Sequence, residues 1–212
     1  MIYLIITLLE VWINMNNMNN MKSKLVLFFL LIISAVCSAQ SNSFLPSKVF
    51  LKSGDTIYGI GKFNHKINKN RIFKYKTHSK GKEKRIELSK IEFVQLRYSK
   101  GDIKTFKTFR LPNNGQFNLL QEFVKGRYVE VYGYSNIVGY MPVVSYYIKK
   151  TNEEGLTFIG PYDAAFGKFK NKVYDYFSDC DLLIKKLKEK ELRLRNGLDE
   201  IADFYNKNCG DK

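Results

Sequence analysis

Apolar positions alternate with a period of two through the first half of this chain and recur every three to four residues near its end. KVFLKSGDTIYGIGKF (48–63) reads as a hairpin. Val49 and Leu51 alternate with Lys48, Phe50 and Lys52, Ser53-Gly54-Asp55 supplies the turn, and Thr56, Ile57 and Tyr58 form the returning arm. Gly59 and Gly61 flank Ile60, which marks a bulge or sharp curvature. NHKINKN (64–70) is a loop. RIFKYKTH (71–78), RIEL (85–88), IEFVQLRY (91–98) and GDIKTFKTFRL (101–111) supply further short strands, with SKGKEK (79–84) as a turn. RYVEVYGY (127–134) and VVSYYIKKT (143–151) predict two more, with a turn at 152–155. Between them, NLLQEFVKG (118–126) has helical spacing at Leu119, Leu120 and Phe123 and ends in Gly126, so the pattern predicts a short helix.

From Asp163 the period changes. Phe166, Phe169, Val173 and Phe177 form one helical stripe, and Ser178 or Asp179 is placed to cap a second helix carrying Leu183, Ile184 and Leu187. Asn196-Gly197 breaks the chain before a third apolar face of Leu198, Ile201, Ala202 and Tyr205. The expectation is an α+β protein. A β-rich body at 40–162, a small barrel or sandwich of short antiparallel strands, precedes a two-to-three-helix tail at 163–212 packed on it.

The segment MKSKLVLFFLLIISAVCSAQ (21–40) adds an address. Lys22 and Lys24 precede an apolar run from Leu25 to Ile33, too short for the about 20 residues of a membrane span. Cys37 and Ala39 offer a small-residue cleavage site, so a cleaved secretory signal ending at Ala39 is expected. Lipid attachment at Cys37 is disfavoured, because Val36 and Ser34 stand in the reverse of the order such signals use. Residues 1–20 lack a basic residue and carry Glu10 within their apolar run, which points to translation starting at Met21. No transmembrane helix is expected in residues 40–212.

Charge changes the picture further. The whole chain carries +15, and without residues 1–39 it carries +14. Between 62 and 110 there are 16 Lys and Arg against four acids, Glu83, Glu87, Glu92 and Asp102, whereas the C-terminal half is nearly balanced. A basic face of this kind concentrates anionic partners. Outside the cytoplasm those are anionic envelope lipids or polysaccharides, with nucleic acid disfavoured by the signal. Lys74, Lys76, Lys82, Lys84 and Arg85 are the nominated anion-binding face. Cys180 and Cys209, the two cysteines left after signal removal, are expected to form a disulfide in an oxidising compartment.

Little in the chain carries catalytic chemistry. His65 and His78 belong to no metal-ligand spacing, and neither a Gly-x-Ser-x-Gly elbow nor a Gly-rich phosphate loop is present. No catalytic, cofactor-binding or metal-binding residue is nominated, and no cofactor is expected. Paired carboxylates need no sequence motif, so a secreted hydrolase stands as an alternative. Glu87, Glu92 and Asp102, however, sit among lysines that would depress a carboxyl pKa where a general acid needs it raised. Lysines interleaved with Phe73, Tyr75, Phe93, Tyr98, Phe106 and Phe109 are read as strand alternation, with rings inward and ammonium groups outward.

Two blocks resemble a known family. LKSGDTIYGIGKF is similar to the opening hairpin, and YDYFSDCDLLIKKL with LDEIADFYNKNC to the closing helices, of uncharacterised secreted proteins common in Bacteroidota. The resemblance covers about 48–209 and implies export and a β-then-α layout, with no activity attached. Asp181 stands where those proteins have a proline. The Val-x-Leu-x-x-Gly-Asp hairpin also resembles the start of Sm-like small barrels, which implies a nucleic-acid binder as a further alternative.

Overall fold

In the computed structural model, the described residues are 44–62, 71–99, 101–112, 114–138, 141–162 and 167–210. The signal segment, the loop containing His65, and Phe166 of the tail stripe lie outside them.

Among the described residues, ten strands build one antiparallel sheet. They are β1 (Leu45–Leu51), β2 (Thr56–Lys62), β3 (Ile72–Lys76), β4 (Lys84–Glu87), β5 (Ile91–Arg97), β6 (Ile103–Arg110), β7 (Phe117–Lys125), β8 (Val129–Val138), β9 (Met141–Lys150) and β10 (Thr157–Pro161). Their order is β10-β9-β8-β7-β6-β5-β1-β2-β3-β4. Each strand pairs with the next in sequence except β4 with β5: a 3-10 turn at Leu88–Lys90 carries the chain from β4 back to β1, where β5 pairs.

That return curls the first half of the sheet. Phe73 on β3, Val94 on β5, Phe106 on β6 and Leu119 on β7 share one buried cluster, with Val49, Leu88 and Ile91. Strands lie about 4.8 Å apart, so β3 and β7 would stand more than 20 Å apart in a flat sheet. Only a strongly twisted and coiled sheet brings them into one core. Glycines permit the tightest part of the curl. A Cβ on Gly61 would stand 2.3 Å from the Phe73 ring, and one on Gly59 would stand 2.2 Å from Lys76 O. The β1–β2 register runs unbroken through both, so they serve close approach and not a bulge.

The segment predicted as a helix at 118–126 is β7. Leu119 and Leu120 are both buried, but in different clusters on opposite faces of the sheet. A strand covered on both sides carries a continuous apolar run, which mimics helical spacing over so short a stretch. β6 and β8 on either side satisfy its backbone.

Three helices close the chain: α1 (Lys168–Tyr176), α2 (Asp181–Lys188) and α3 (Asp199–Asn208). Phe169, Val173 and Phe177 from the predicted stripe are buried, as are Leu183, Leu187, Ile201, Ala202 and Tyr205. They pack on Val129, Val131, Ile148 and Ile159, one face of β8–β10. The opposite face, with Tyr132 and Tyr147, belongs to a separate cluster with Leu111, Leu120 and Leu156. Neither Ser178 nor Asp179 caps α2. Cys180 is its N-cap, with Sγ accepting from Leu183 N at 3.4 Å, and Cys180 is bonded to Cys209. Among the described residues no helix is long and apolar enough to cross a membrane.

Candidate anion-binding surfaces

The five nominated cations gather on the β3–β4 hairpin, at the edge of the sheet. Lys74 and Arg85 stand directly opposite each other, and Lys76 follows Lys74 on the same face. Lys84 stands opposite Tyr75 on the other face, and Lys82 lies in the exposed turn. Glu83 partly neutralises the group, with Oε1 2.9 Å from Lys74 Nζ and 3.7 Å from Arg85 Nε. Its carboxyl is held below the ordinary carboxylate range, first by the hydrogen bond from Lys74. Lys76 Nζ sits 4.7 Å from the centre of the Phe44 ring. Over residues 71–90 eight cations still face two acids, so the hairpin remains strongly positive. Charged side chains on an edge strand also discourage pairing with another chain.

A second basic surface lies in the tail, within a half-chain whose net charge is nearly balanced. α1, α2 and the segment 190–195 enclose a groove of about 660 Å³ that includes Lys170, Lys188, Lys190, Arg193 and Arg195. No acid lines it among the described residues. The reason is how the run KKLKEKELRLR (185–195) sorts its ion pairs. Glu189 lies 3.9 Å from Lys185, and Glu191 pairs with Lys186, so both acids are drawn to the cations that do not line the groove. Buried Leu187 and half-buried Leu192 and Leu194 form an apolar floor, and Tyr162 and Tyr174 complete the walls. The signal was present in the sequence as an acid-poor basic run, but net charge over the half-chain hid it.

Two polar networks have structural assignments. On the face of the sheet away from the helices, Lys107 Nζ lies 2.8 Å from Glu122 Oε2 and 3.6 Å from Glu130 Oε1, and donates to Tyr132 OH at 2.9 Å. Tyr132 OH donates to Glu130 Oε2 at 2.6 Å. Burial and that carboxylate push the Tyr132 hydroxyl far above its ordinary pKa. Glu122 and Glu130 are adjacent carboxylates, but both are committed to one ammonium. Glu87, Glu92 and Asp102 are not drawn into this group.

The second network docks the tail. Lys150 on β9 donates to Asp179 Oδ2 at 2.9 Å and to Tyr176 O at 3.0 Å, and Tyr205 OH donates to Asp179 Oδ2 at 2.6 Å. Asn206 bonds the backbone of residues 128 and 129, and Cys209 closes on Cys180. Tyr205, Asn206 and Cys209 are the Tyr-Asn-x-x-Cys of the closing block: Asn206 reaches the sheet, Tyr205 reaches Asp179, which Lys150 of the sheet also holds, and Cys209 ties the end of α3 to the start of α2.

His78 is exposed at the end of β3. Among the described residues no cluster of three His, Cys, Asp or Glu side chains could hold a metal ion. Compared with known proteins, the chain matches no family model, no curated protein and no solved structure.

Proposed function

We propose that this is an exported, non-catalytic module of the cell envelope that meets an anionic envelope component, lipid or polysaccharide, through the β3–β4 hairpin. The observation that carries the reading is the surplus of cations on that hairpin after Glu83 has taken Lys74 and Arg85. Lys82 and Lys84, exposed at its tip, then lead the contact. Each basic residue near an anionic bilayer contributes about 1 kcal/mol, and the contribution is screened within a Debye length. The segment 21–39 supports export, with processing after Ala39. A hydrolase reading gains nothing from Glu122 and Glu130, which Lys107 occupies.

The test is co-sedimentation with vesicles of phosphatidylcholine alone and with added phosphatidylglycerol, at rising salt. Binding only to the anionic vesicles, lost with salt and in a Lys82→Glu/Lys84→Glu/Arg85→Glu variant, is expected. Absent or salt-independent binding overturns the reading. An intact mass starting at Gln40 in the exported fraction checks the address.

One feature favours a second reading. After the 3-10 turn β5 returns to pair with β1, so β1 to β5 curl around one core as a small barrel does, in keeping with the Sm-like look of the opening hairpin. Nucleic-acid binding through the same hairpin would appear as retention on single-stranded RNA by a chain that keeps residues 21–39.

A further inference from the structure

We infer that the tail groove is a specific site for a phosphorylated sugar of one or two rings, separate from the hairpin surface and independent of its function. Three observations converge there. The first is charge: Lys170, Lys188, Lys190, Arg193 and Arg195 line one concavity, and none has an ion-pair partner among the described residues. The nearby acids Glu189 and Glu191 pair with Lys185 and Lys186, which do not line it. Arg forks and Lys point charges together suit the oxygens of a phosphoryl group.

The second observation is shape. The volume of about 660 Å³ lies within the range of small-molecule sites, and the apolar floor of Leu187, Leu192 and Leu194 is the usual lining of such sites. Tyr162 is exposed with its ring edge-on to buried Phe169, at 5.6 Å, so it is held in place yet open to the groove. Tyr174 lies under Lys170, with Nζ 5.3 Å from the ring centre. Rings with an apolar face and a polar tip accommodate a sugar body that carries both.

The third is backbone. α2 ends in a Schellman motif, in which Glu191 N donates to Lys186 O at 3.0 Å and Lys190 N to Leu187 O at 3.3 Å. The motif puts Lys190 at φ 62, the one non-glycine residue with positive φ among those described. Glycine is the residue that position favours. A lysine there accepts left-handed strain and gains only a cation at the groove.

The shared chemistry, a phosphomonoester on a sugar ring, occurs free and as the head of a phosphorylated glycolipid. The experiment is calorimetric titration of the mature chain with glucose 1-phosphate, with glucose and with inorganic phosphate. A second arm uses vesicles carrying a phosphorylated glycolipid in a neutral background. Saturable 1:1 binding of glucose 1-phosphate, at least tenfold tighter than either glucose or phosphate, is expected. Tighter binding to the glycolipid vesicles identifies the lipid as the source, and equal binding identifies the free sugar phosphate. Lys190→Gly should weaken binding severalfold while raising the melting temperature, so the loss cannot be laid to unfolding. Lys188→Glu/Arg193→Glu should abolish it, and the hairpin triple variant should leave it intact. The inference falls if glucose 1-phosphate does not bind or binds no better than inorganic phosphate. It falls equally if binding survives the groove substitutions or is lost with the hairpin ones. Vesicle binding through the hairpin can succeed or fail without affecting any of these outcomes.

Discussion

Asn206 on α3 brackets Val129 at the start of β8. Its Nδ2 donates to Val129 O, and its Oδ1 accepts from Val129 N, each at 2.9 Å. The same Oδ1 also accepts from Tyr128 N at 2.9 Å. β7 has ended at Lys125, paired with Glu130, so one helix side chain takes the place a strand would fill. Asn206→Ala leaves these backbone groups without partners and should cost about 2–3 kcal/mol in urea denaturation. Gly126→Ala offers an independent check, because its Cβ would stand 1.9 Å from Asn206 Nδ2. It should reproduce most of that loss, whereas Gly155→Ala, with open space around its Cβ, should not.

Reducing the Cys180–Cys209 bond frees a separation of 29 residues in the unfolded chain. On the chain-entropy account the loss is about 3–4 kcal/mol. Denaturant midpoints with and without reductant should differ accordingly, and hydrogen exchange should rise first in α2 and α3. Because Cys180 also caps α2, Cys180→Ser, which can still accept from Leu183 N, should destabilise less than Cys180→Ala.

Asp179 gives the tail an acid-side sensitivity. Burial pushes its carboxyl up, but hydrogen bonds from Tyr205 and Lys150 outweigh that and hold it below the ordinary value. A depressed folded-state pKa contributes stability above the unfolded value of about 3.9, lost as pH falls through the folded value. Asp199 runs the other way: burial, then the Asp203 charge, raise its carboxyl, so its contribution is present at low pH and lost as pH rises. Asp179→Asn should therefore flatten the loss of stability below about pH 4, measured by urea midpoints across pH 2–6.

Lys190→Gly removes left-handed strain at the C-terminus of α2, partly offset by the greater freedom of glycine in the unfolded chain. A net gain of about 0.5–1 kcal/mol is expected from thermal and urea unfolding. Lys190→Asn should fall between, since Asn tolerates this region better than Lys.

Lys107→Met strips the ammonium from between Glu122 and Glu130. Two partly buried carboxylates then face each other across Tyr132, and a loss of about 1–3 kcal/mol is expected. Adding Glu122→Gln to Lys107→Met should recover part of it, which a double-mutant cycle would read out.

The alternation of 48–58 and 71–98, the turn at Ser53-Gly54-Asp55, the Phe169–Val173–Phe177 stripe and the pair of cysteines were legible in the chain itself. All but the cysteines depend on neighbours within a turn or two, where strand and helix periods act directly on the order of residues, and the cysteines are legible because no others remain after residue 39. The α+β layout follows from them. Contacts distant in sequence decided the rest. Leu119 and Leu120 became strand residues because two separate cores cover opposite faces of β7. Cys180 became the cap of α2 because Lys150 and Tyr205 claim Asp179. The two basic surfaces diverged for the same reason. Lys74 reaches Glu83 only when β3 and β4 pair, whereas the groove cations are left without an acid because Glu189 and Glu191 pair with Lys185 and Lys186. Sequence fixes how many charges a segment carries. Which of them remain unneutralised is a property of side-chain geometry, and only the folded chain sets that.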